Sequence, residues 1–562
     1  MPETKKASCL FCSFQCGFGL EVDQGVPVRT DLDPEARQNK GALCVRGHYN
    51  LEILQHPKRF LAGTVNRRRV PLSSAVTKAA TAIADAKAGH GGDAVGVIVG
   101  TELSNEDYDA AVEFATKAVG TPSLAVAYDG SDFPLLAGGG AGDATPEDMD
   151  GAEATVLVGD VFWGHPCVAK RVIASRHLAR ANRVYTVNPY RTNTDWFADR
   201  HVQVRPGGEP VFLAALLTAM NAQGVPRVDP AKAAAAWGMS AGELEAMAKE
   251  LKGKKKVLVL ASTRLGDSTS AYLTGMLAAK LAHACGGKYA PLLRGGNAIG
   301  AHQRVGSART VPEILKDVES GKIKTLLVLG PDMFQLYPGA LCADAVDRLS
   351  FLAASAIFEN DTTKRADVGL PLAAWTEAAG SYAASFGVST TVEPAVAPQG
   401  DAAPAREVLA ALAEALGAPL SGAQARGEHP PATVDAAAAL AKLVAGAGDG
   451  LALVECISPI HRWDGAVTGR MAFAQALRPY CEIWIGEATA ARLGVRPGEN
   501  ATVASDRGEA TIIATVTDRM PDGLVAIPTY VADARGLMVW TPNAATRWFD
   551  VAAPGASVRA GS

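Results

Sequence analysis

The chain has 562 residues, of which 48% are hydrophobic and 20% are charged, and this composition excludes a mainly disordered or fibrous protein. Because one hydrophobic core rarely accommodates so long a chain, we expect about two to four domains. The formal net charge of −4 leaves no cationic surface that would attract nucleic acid, so we exclude nucleic-acid binding.

The first residues, MPETKKASCLFC, contain two lysines but no apolar run long enough for the core of a signal peptide. No later segment has the roughly 18 uninterrupted apolar residues that span a bilayer. We therefore expect a cytoplasmic protein without direct membrane insertion.

Four cysteines lie near the start of the chain, in a predicted domain over residues 1–57. Cys9, Cys12, Cys16 and Cys44 form the pattern C-x2-C-x3-C-x27-C. Three thiolates so close together can wrap one face of a compact metal centre, and a fourth from a later loop can close it, as a 4Fe-4S cluster requires. The same thiolates can also hold a structural zinc ion, so both metals stay open here. The remaining cysteines lie in apolar surroundings and are expected to be buried without chemistry: Cys167, Cys285, Cys342, Cys456 and Cys481.

Residues 58–416 alternate short apolar runs with stretches of helical period, a pattern typical of βα units around a parallel sheet. Each run has about the length of a fully buried strand. The predicted fold of this region is a doubly wound α/β domain. The six predicted strands are 94–99, 154–158, 183–187, 256–260, 325–329 and 351–357.

Two strand ends resemble each other, TVLVGDVFWGHP at 155–166 and TLLVLGPDMFQLYP at 325–338. In each, the apolar run stops at a glycine, Gly159 or Gly330, and a turn leads to a proline that can open a helix. Open α/β sheets bind nucleotides and phosphates at such strand ends, although βα turns also use glycine without any ligand. The pair predicts two related half-domains.

The character of the chain changes at about residue 391, where a Pro-rich stretch leads into a predicted helix over 406–417. Residues 417–450 predict a linker followed by an alanine-rich packing helix over 436–447. Residues 451–562 contain short β runs separated by glycine and proline turns, and they predict a separate β-barrel domain.

Several motifs together resemble the molybdopterin oxidoreductase family of Mo/W-bis-pterin enzymes. CLFCSFQC followed by GALCVRGHYNLEILQHPKRF is similar to the start of that family. VNPYRTNTDWFADRHVQVRPGGE resembles its guanosine-side segment, and LLRGGNAIGAHQRVG resembles a glycine-rich cofactor loop. FENDTTKRADVGLPLAAWTEAAGSY and the stretch from EIWIGEATAARLG onward resemble the segments before and within the terminal pterin-dinucleotide-binding barrel. The greatest similarity is to formate dehydrogenase catalytic subunits and the large subunit of respiratory complex I.

The resemblance implies two molybdopterin guanine dinucleotides, held in crevices between α/β domains, whose dithiolenes bind Mo or W. It also implies that electrons leave through the 4Fe-4S cluster toward iron-sulfur or flavoprotein partner subunits. Together with the two strand-end turns, it implies these cofactor-binding residues: Arg46, Gly159, His165, Asn188, Arg191, Thr192, Arg294, Asn297 and Gly330.

Three of these candidates have particular chemistry. Arg46 stands where the family often has lysine, and it keeps the charge with a planar geometry. Asn188 replaces the aspartate that pairs with guanine, and its amide can both donate and accept. Arg294 suits a pyrophosphate through bidentate hydrogen bonds. The alternative for each is an ordinary structural or solvated side chain, and the same alternative applies to His165.

One departure from the family concerns the protein ligand of the metal. Formate dehydrogenases supply a cysteine or selenocysteine before the strand at 154–158, whereas the corresponding stretch here, residues 123–154, contains no cysteine. Asp129, Ser131 and Asp132 offer oxygen atoms instead, and Asp132 is our candidate ligand for Mo or W. The alternative is that this Asp-Gly-Ser-Asp segment forms a turn.

Two functional hypotheses follow. In the first, the chain is a redox subunit with a 4Fe-4S cluster and a Mo or W bis-pterin centre that acts on a small substrate, such as formate or another one-carbon compound. In the second, it is a non-catalytic relative without the metal-pterin centre that serves as an electron relay or scaffold in a larger complex.

Overall fold

The computed structural model describes residues 2–235, 237, 239–337, 339–445, 450–461, 465–478 and 481–561. Within them, no helix combines the length and the apolar character that crossing a bilayer demands.

The elements are numbered here in chain order. The strands are β1 (Glu3–Ser8), β2 (Gly17–Asp23), β3 (Val26–Leu32), β4 (Gly63–Val65), β5 (Arg68–Val70), β6 (Val95–Val99), β7 (Leu124–Val126), β8 (Ala154–Val158), β9 (Arg183–Asn188), β10 (Arg200–Gln203), β11 (Val257–Ala261), β12 (Lys288–Pro291), β13 (Thr325–Leu329), β14 (Phe351–Ala356), β15 (Val368–Pro371), β16 (Gly380–Ala383), β17 (Ser389–Val392), β18 (Ala452–Glu455), β19 (Glu482–Gly486), β20 (Asn500–Ser505), β21 (Gly508–Thr517), β22 (Leu524–Ile527), β23 (Val539–Asn543), β24 (Trp548–Ala552) and β25 (Ser557–Ala560).

The α-helices are α1 (Val45–His48), α2 (Leu51–Gln55), α3 (Leu72–His90), α4 (Asn105–Glu113), α5 (Asp132–Gly139), α6 (Pro146–Asp150), α7 (Val161–Gly164), α8 (Pro166–Leu178), α9 (Glu209–Ala219), α10 (Pro230–Ala235), α11 (Ala241–Gly253), α12 (Ser268–Ala284), α13 (Ala298–Val305), α14 (Val311–Glu319), α15 (Met333–Leu336), α16 (Gly339–Val346), α17 (Asp361–Arg365), α18 (Ala405–Ala415), α19 (Ala436–Ala445), α20 (Ala472–Leu477), α21 (Glu487–Leu493) and α22 (Ala532–Gly536).

The N-terminal region is a small antiparallel sheet in the order β1-β2-β3. The loop between β1 and β2 carries three of the four clustered cysteines, and a hydrogen bond from Cys9 N to Cys16 O (2.9 Å) closes it. Cys44 directly precedes α1. The loop cysteines and Cys44 line one cavity together with residues 165–167 of the central region.

Two parallel sheets form the centre of the molecule. One has the order β10-β9-β8-β11-β12 and is parallel throughout. The other has the order β5-β4-β15-β14-β13-β6-β7, in which the strands from β15 to β7 are parallel and the β4-β5 hairpin extends one edge. The central strands are buried on both faces, which explains their continuous apolar runs. The predicted doubly wound fold, including all six predicted strands, is confirmed.

The two halves repeat one another down to single hydrogen bonds. After β8, Gly159 has a φ of +83° and Asp160 follows; after β13, Gly330 has a φ of +99° and Asp332 lies two residues on. Asp160 Oδ1 accepts a hydrogen bond from Thr194 Oγ1 at 2.9 Å, and Asp332 Oδ1 accepts one from Thr362 Oγ1 at 2.9 Å.

The correspondence continues one βα unit later. Asp199 accepts a hydrogen bond from the backbone N of Val184, and Asp367 accepts one from the backbone N of Leu352, at 2.8 Å and 2.9 Å. Each aspartate follows an alanine and directly precedes a strand. Asp199 precedes β10, at the edge of its sheet, and Asp367 precedes β15, which lies near the edge of the other sheet. The predicted two related halves are therefore confirmed at the level of side chains.

The C-terminal region holds one six-stranded mixed sheet in the order β18-β22-β19-β21-β20-β25, with the separate hairpin β23-β24. The predicted β-rich terminal domain is confirmed. The described strands show no ladder between β18 and β25, the two ends of this order, so the closure of this sheet into a barrel stays a prediction. The predicted helices at 406–417 and 436–447 correspond to α18 and α19, and residues 446–447 lie outside the described residues.

Candidate functional site

The four N-terminal cysteines line a single cavity, together with apolar side chains such as Phe11, Phe14 and Leu43. Burial, followed by the neighbouring thiols, raises the pKa of Cys9. A hydrogen bond with Cys167 lowers the pKa of Cys16, but burial and the adjacent thiols together outweigh it and raise that pKa to about 11. The raised pKa keeps these thiols protonated in the absence of metal, and because a ligand must be a thiolate, binding of a metal centre would release their protons. The set of donors fits a four-thiolate iron-sulfur cluster.

A fifth thiol lines the same cavity. Cys167, the second residue of α8, is 6% exposed and lies within hydrogen-bonding reach of Cys16 and Cys44. The sequence analysis assigned it no chemistry, and its distance along the chain from the other cysteines gave no spacing signal that would have revealed it.

Arg46 lies beside the thiols and is 1% exposed. Its Nη2 donates to the carbonyl oxygen of Gly164 at 2.7 Å. Burial opposes its charge, but the nearby sulfurs of Cys44 and Cys12 outweigh burial and raise the pKa of Arg46. The structure therefore places a permanent positive charge at the edge of the cluster cavity.

His165 stands between the cluster cavity and the glycine-rich loop at 292–297. Its Nε2 donates to the carbonyl oxygen of Leu293 at 2.8 Å, which assigns the ring proton to that nitrogen. Burial lowers the pKa of His165 to about 3, so the ring is neutral at ordinary pH. The cluster loop also binds Leu293, because Ser13 N donates to its carbonyl at 3.1 Å and Leu293 N donates to Ser13 Oγ at 2.8 Å.

Close packing explains the glycines of this loop. A Cβ on Gly295 would lie 2.4 Å from Thr101 Oγ1, and one on Gly296 would lie 2.3 Å from the carbonyl oxygen of Leu10. Asn297 is fully buried, donates to the carbonyl oxygen of Leu103 at 2.8 Å and accepts from Ala383 N at 2.8 Å. These contacts hold the loop in place, and a direct contact of Asn297 with cofactor stays a prediction.

Arg294 is the centre of a buried ionic cluster, which we call the Arg294 network. Its guanidinium donates twice to Glu455 and lies 3.6 Å from Asp129, and all three side chains are 1% exposed. Burial opposes the charge of Glu455, but the charge and hydrogen bonds of Arg294 outweigh it and hold the pKa of Glu455 at about 2. Arg535 Nη2 donates to Asp129 at 3.1 Å. Arg294 therefore pairs with carboxylates inside the protein, and its role toward a pyrophosphate stays a prediction.

Asp132, the candidate metal ligand, begins α5 beside this network. Its Oδ2 accepts hydrogen bonds from Arg294 N at 2.8 Å and Gly295 N at 3.0 Å. Burial raises the pKa of Asp132 to about 7 against the opposing charge of Arg294. The nearby Asp129 Oδ2 is buried and has no hydrogen-bond partner among the described residues. Carboxylate oxygens are thus present where the family resemblance expects a metal ligand, and ligation by Asp132 stays a prediction.

Two crevices open at the carboxyl edges of the two parallel sheets. The first, which we call the Trp375 crevice, lies where β6 and β13 end side by side. Gly330 lines it together with Gly100, Thr101 and Trp375. After β6 the chain continues to β7, which lies on one side of this strand pair, and after β13 it continues to β14 on the other side. Open α/β sheets bind ligands at the point where the strand order diverges in this way. The indole Nε1 of Trp375 is buried without a partner among the described residues.

The second crevice, which we call the Arg264 crevice, lies at the carboxyl end of β11, where residues 262–267 line it together with Pro189 after β9. It therefore also lies at carboxyl strand ends of a parallel sheet. Ser262 Oγ, Thr263 Oγ1 and Arg264 Nε are buried and lack hydrogen-bond partners among the described residues. Unsatisfied buried polar atoms in both crevices are consistent with a polar ligand that would satisfy them.

The remaining predicted cofactor residues lie around the Arg264 crevice. Asn188, at the end of β9, accepts a hydrogen bond from Arg264 Nη2 at 2.8 Å, and its own Nδ2 is buried without a partner in the described chain. Thr192 Oγ1 donates to Asp160 at 3.1 Å, and Arg191 is exposed. Gly159 approaches β11 so closely that a Cβ would lie 2.3 Å from Ser262 O. The structure brings these residues to one strand edge, and their contacts with cofactor stay predictions.

Three protein-family models match the chain, one each in its N-terminal, central and C-terminal regions. Residues 2–56 match the family model "Molybdopterin oxidoreductase Fe4S4 domain", residues 74–415 match "Molybdopterin oxidoreductase", and residues 458–557 match "Molydopterin dinucleotide binding domain". These matches support a 4Fe-4S cluster and a Mo or W bis-pterin centre as the cofactors. The zinc alternative for the four cysteines is not favoured.

Several curated proteins are similar over much of the chain. The "NADPH-Fe(3+) oxidoreductase subunit alpha" of Geobacter sulfurreducens is 24% identical, over 94% of this chain and 72% of its own. The "F420-dependent formate dehydrogenase subunit alpha" of Methanocaldococcus jannaschii is 24% identical, over 73% and 70%. The structure of acetylene hydratase from Pelobacter acetylenicus shares the fold, with a TM-score of 0.77 at 14% identity over 99% of this chain and 100% of that one. The sequence motifs, the cysteine cavity, the paired crevices and the family models lead to one conclusion: the chain belongs to the molybdopterin oxidoreductase family.

Proposed function

We propose that the chain is the cofactor-bearing subunit of a cytoplasmic oxidoreductase and passes electrons between a small substrate and an iron-sulfur or flavoprotein partner subunit. The observation that supports this most is a continuous line of buried contacts. It runs from the cysteine cavity through Arg46 and His165 to the glycine-rich loop, and from there to the Arg294 network.

Particular residues would hold each cofactor. Cys9, Cys12, Cys16 and Cys44 would ligate the cluster, while the Trp375 and Arg264 crevices would each receive one dinucleotide. When bound, the metal-pterin centre supplies two-electron chemistry and the cluster supplies one-electron transfer. The protein contributes a permanent charge at Arg46, a neutral donor at His165 and the exclusion of water along the line between them.

The nature of the substrate is the finer part of this proposal. A formate or formyl-level one-carbon substrate is supported by the motif resemblance and by the similarity to a formate dehydrogenase subunit. The stretch before β8 contains no thiol, so Asp132 would offer an oxygen ligand in place of sulfur. The name "subunit alpha" carried by two similar proteins supports a partner subunit that completes the electron path.

A specific observation also supports a second candidate, a non-catalytic relay or scaffold. Arg294 and Arg535 pair with Glu455 and Asp129, so these two cations and two carboxylates balance one another without a metal ion. A relative that has lost the metal-pterin centre would need such internal pairing to keep its core closed.

Metal analysis of the purified, anaerobically handled chain separates the two candidates. The first candidate predicts about four iron atoms and about one Mo or W per chain, whereas the second predicts iron alone. Zinc in place of iron and sulfide would contradict both candidates.

The proposed role of Asp132 has its own test. Asp132→Asn keeps an oxygen that can accept the two backbone hydrogen bonds but removes the ionised carboxylate. We expect loss of Mo or W with iron unchanged. An unchanged Mo or W content, measured by mass spectrometry of the same preparation, would remove Asp132 from the ligand set.

A further inference from the structure

Between α18 and α19 the chain runs without helix or strand over residues 417–435, a segment that we call the strap. Its first half is attached to α4. The backbone N–H of Ser421 donates to Glu113 at 2.9 Å, and that of Ala425 donates to Asp109 at 2.8 Å. Two carboxylates of one helix therefore hold the backbone of the strap.

The middle of the strap is attached to the end of α13. Gly427 N donates to the carbonyl oxygen of Gln303 at 2.8 Å, and Ser307 N donates to the carbonyl oxygen of Glu428 at 2.8 Å. A Cβ on Gly427 would lie 2.3 Å from Gly306 N, so the two backbones approach each other without room for a side chain. The strap thus packs directly on the residues that end α13.

Two histidines meet at this contact. His429 of the strap stacks on His302, in the last turn of α13, with 3.9 Å between the ring centroids and 27° between the ring planes. The Nδ1 atom of His302 is buried and has no hydrogen-bond partner among the described residues. Because two imidazolium rings at this distance would repel each other, the stacked arrangement favours neutral rings.

The surroundings of the pair also favour the neutral form. Burial, followed by the neighbouring His429, lowers the pKa of His302 to about 3, and burial lowers the pKa of His429. Arg426 and Glu428, on the strap itself, are exposed. Charged side chains of the elements around the pair have partners of their own: Arg304 with Asp109, Asp107 with Arg406, Glu106 with Ser381, Glu113 with Lys117, Arg309 with Asp317, and Arg547 with Glu313.

We propose that the stacked pair of His302 and His429 is a pH-sensitive switch that holds the strap on α13 at neutral pH and releases it in mildly acidic solution. A detached histidine takes up a proton below its ordinary pKa of about 6.5, whereas the stacked His302 does so only near pH 3. The attached state therefore keeps its full stability above about pH 6.5 and loses it as the pH falls toward 3. This inference does not depend on the proposed function.

Release of the strap would reach both neighbouring regions. Asn297 of the glycine-rich loop is the residue directly before α13, so the strap contacts the helix that follows this loop. Beyond the histidine, Thr433 N donates to the carbonyl oxygen of Ala545 at 3.0 Å, in the turn between β23 and β24. The strap therefore connects the helix after the glycine-rich loop with the C-terminal region, and acidification weakens this connection.

Hydrogen exchange of the full chain, followed by mass spectrometry, tests the switch. Peptides that cover residues 421–432 are compared between pH 7.5 and pH 5, after correction for the intrinsic pH dependence of exchange. His302→Phe keeps a stacking ring that cannot take up a proton, and His302→Gln is the second variant if the apolar ring disturbs α13. The control is His90→Phe, because His90 is an exposed histidine in the last turn of another helix, α3.

In the wild-type chain we expect the equilibrium constant for opening of the strap to rise about 30-fold from pH 7.5 to pH 5 through His302 alone. The rise should be largely lost in both His302 variants and unchanged in His90→Phe. An opening constant that does not change with pH in the wild type, or a full rise in both His302 variants, would overturn the proposal. Equal loss of protection in β8 and β13 over the same range would also overturn it, since the whole chain would then unfold rather than the strap.

Discussion

Two buried carboxylates of this protein, Asp160 and Glu455, have pKa values that are shifted in opposite directions. Asp160, at the turn after β8, has no exposed surface and accepts hydrogen bonds from Thr192 and Thr194. Burial raises its pKa to about 6, although the charge of Arg264 and the hydrogen bond from Thr194 oppose the shift. Glu455, which is equally buried, has its pKa lowered because Arg294 contacts it directly. Direct contact with a guanidinium therefore lowers the pKa of Glu455, whereas burial without such a contact raises the pKa of Asp160.

The raised pKa of Asp160 predicts a pH-dependent stability. Between about pH 4 and pH 6 the folded chain retains a proton on Asp160 that the unfolded chain releases, so rising pH in this window lowers the free energy of unfolding, by roughly 3 kcal/mol for two pKa units. Asp160→Asn removes this contribution while keeping a hydrogen-bond acceptor. We expect the apparent Tm of the variant to rise relative to wild type as the pH increases from 4.5 to 6.5. Calorimetry of both chains across that range checks it, and parallel curves would contradict the assignment.

At the scale of elements, the turns after β8 and β13 differ in how closely a neighbouring strand approaches them. Gly159 and Gly330 occupy corresponding positions after β8 and β13, and both have positive φ. Their surroundings differ: a Cβ on Gly159 would lie 2.3 Å from a backbone oxygen, whereas the nearest atom to a Cβ on Gly330 is 3.7 Å away. At position 159, both the lack of space and the positive φ therefore require glycine, whereas at position 330 only the positive φ favours it.

This difference predicts unequal costs of substitution. We expect Gly159→Ala to lower the free energy of unfolding by about 2 to 5 kcal/mol, through backbone strain and overlap with Ser262. Gly330→Ala should cost about 1 kcal/mol, from its positive φ alone. The control Gly89→Ala lies in α3 with open space around its Cβ and should be neutral or stabilising by up to about 1 kcal/mol. Urea unfolding of the three variants measures the order, and equal effects at Gly159 and Gly330 would contradict the steric argument.

At the scale of the whole molecule, buried polar contacts connect the three regions. The cluster loop binds the glycine-rich loop through Ser13 and Leu293. Glu455, at the end of β18 in the C-terminal sheet, binds Arg294 of the central region, and it also accepts from Thr529 and from Leu265 N. The C-terminal domain is therefore attached to the centre by a fully desolvated ion pair, which is costly to break from one side.

Removing the Glu455 carboxylate leaves Arg294 buried with less compensation. We expect Glu455→Ala to destabilise the chain by about 3 to 5 kcal/mol and to separate unfolding of the C-terminal region from that of the rest. The control Glu509→Ala breaks an exposed pair with Arg559 in the same sheet and should cost less than about 1 kcal/mol. Differential scanning calorimetry distinguishes the two, and a single unshifted transition in Glu455→Ala would show that the pair does not join the regions.

The sequence by itself determined the four-cysteine motif, the six buried parallel strands, the two related halves and the β-rich terminal domain, because each depends on local spacing or on the period of apolar residues. Only the tertiary structure decided which distant residues meet. It placed Cys167 among the cluster thiols, enclosed Arg294 with Glu455 and Asp129, and positioned a crevice at carboxyl strand ends of each parallel sheet. The physical reason is that burial and charge pairing arise between segments far apart in the chain, and no local pattern records the partner that a side chain acquires on folding.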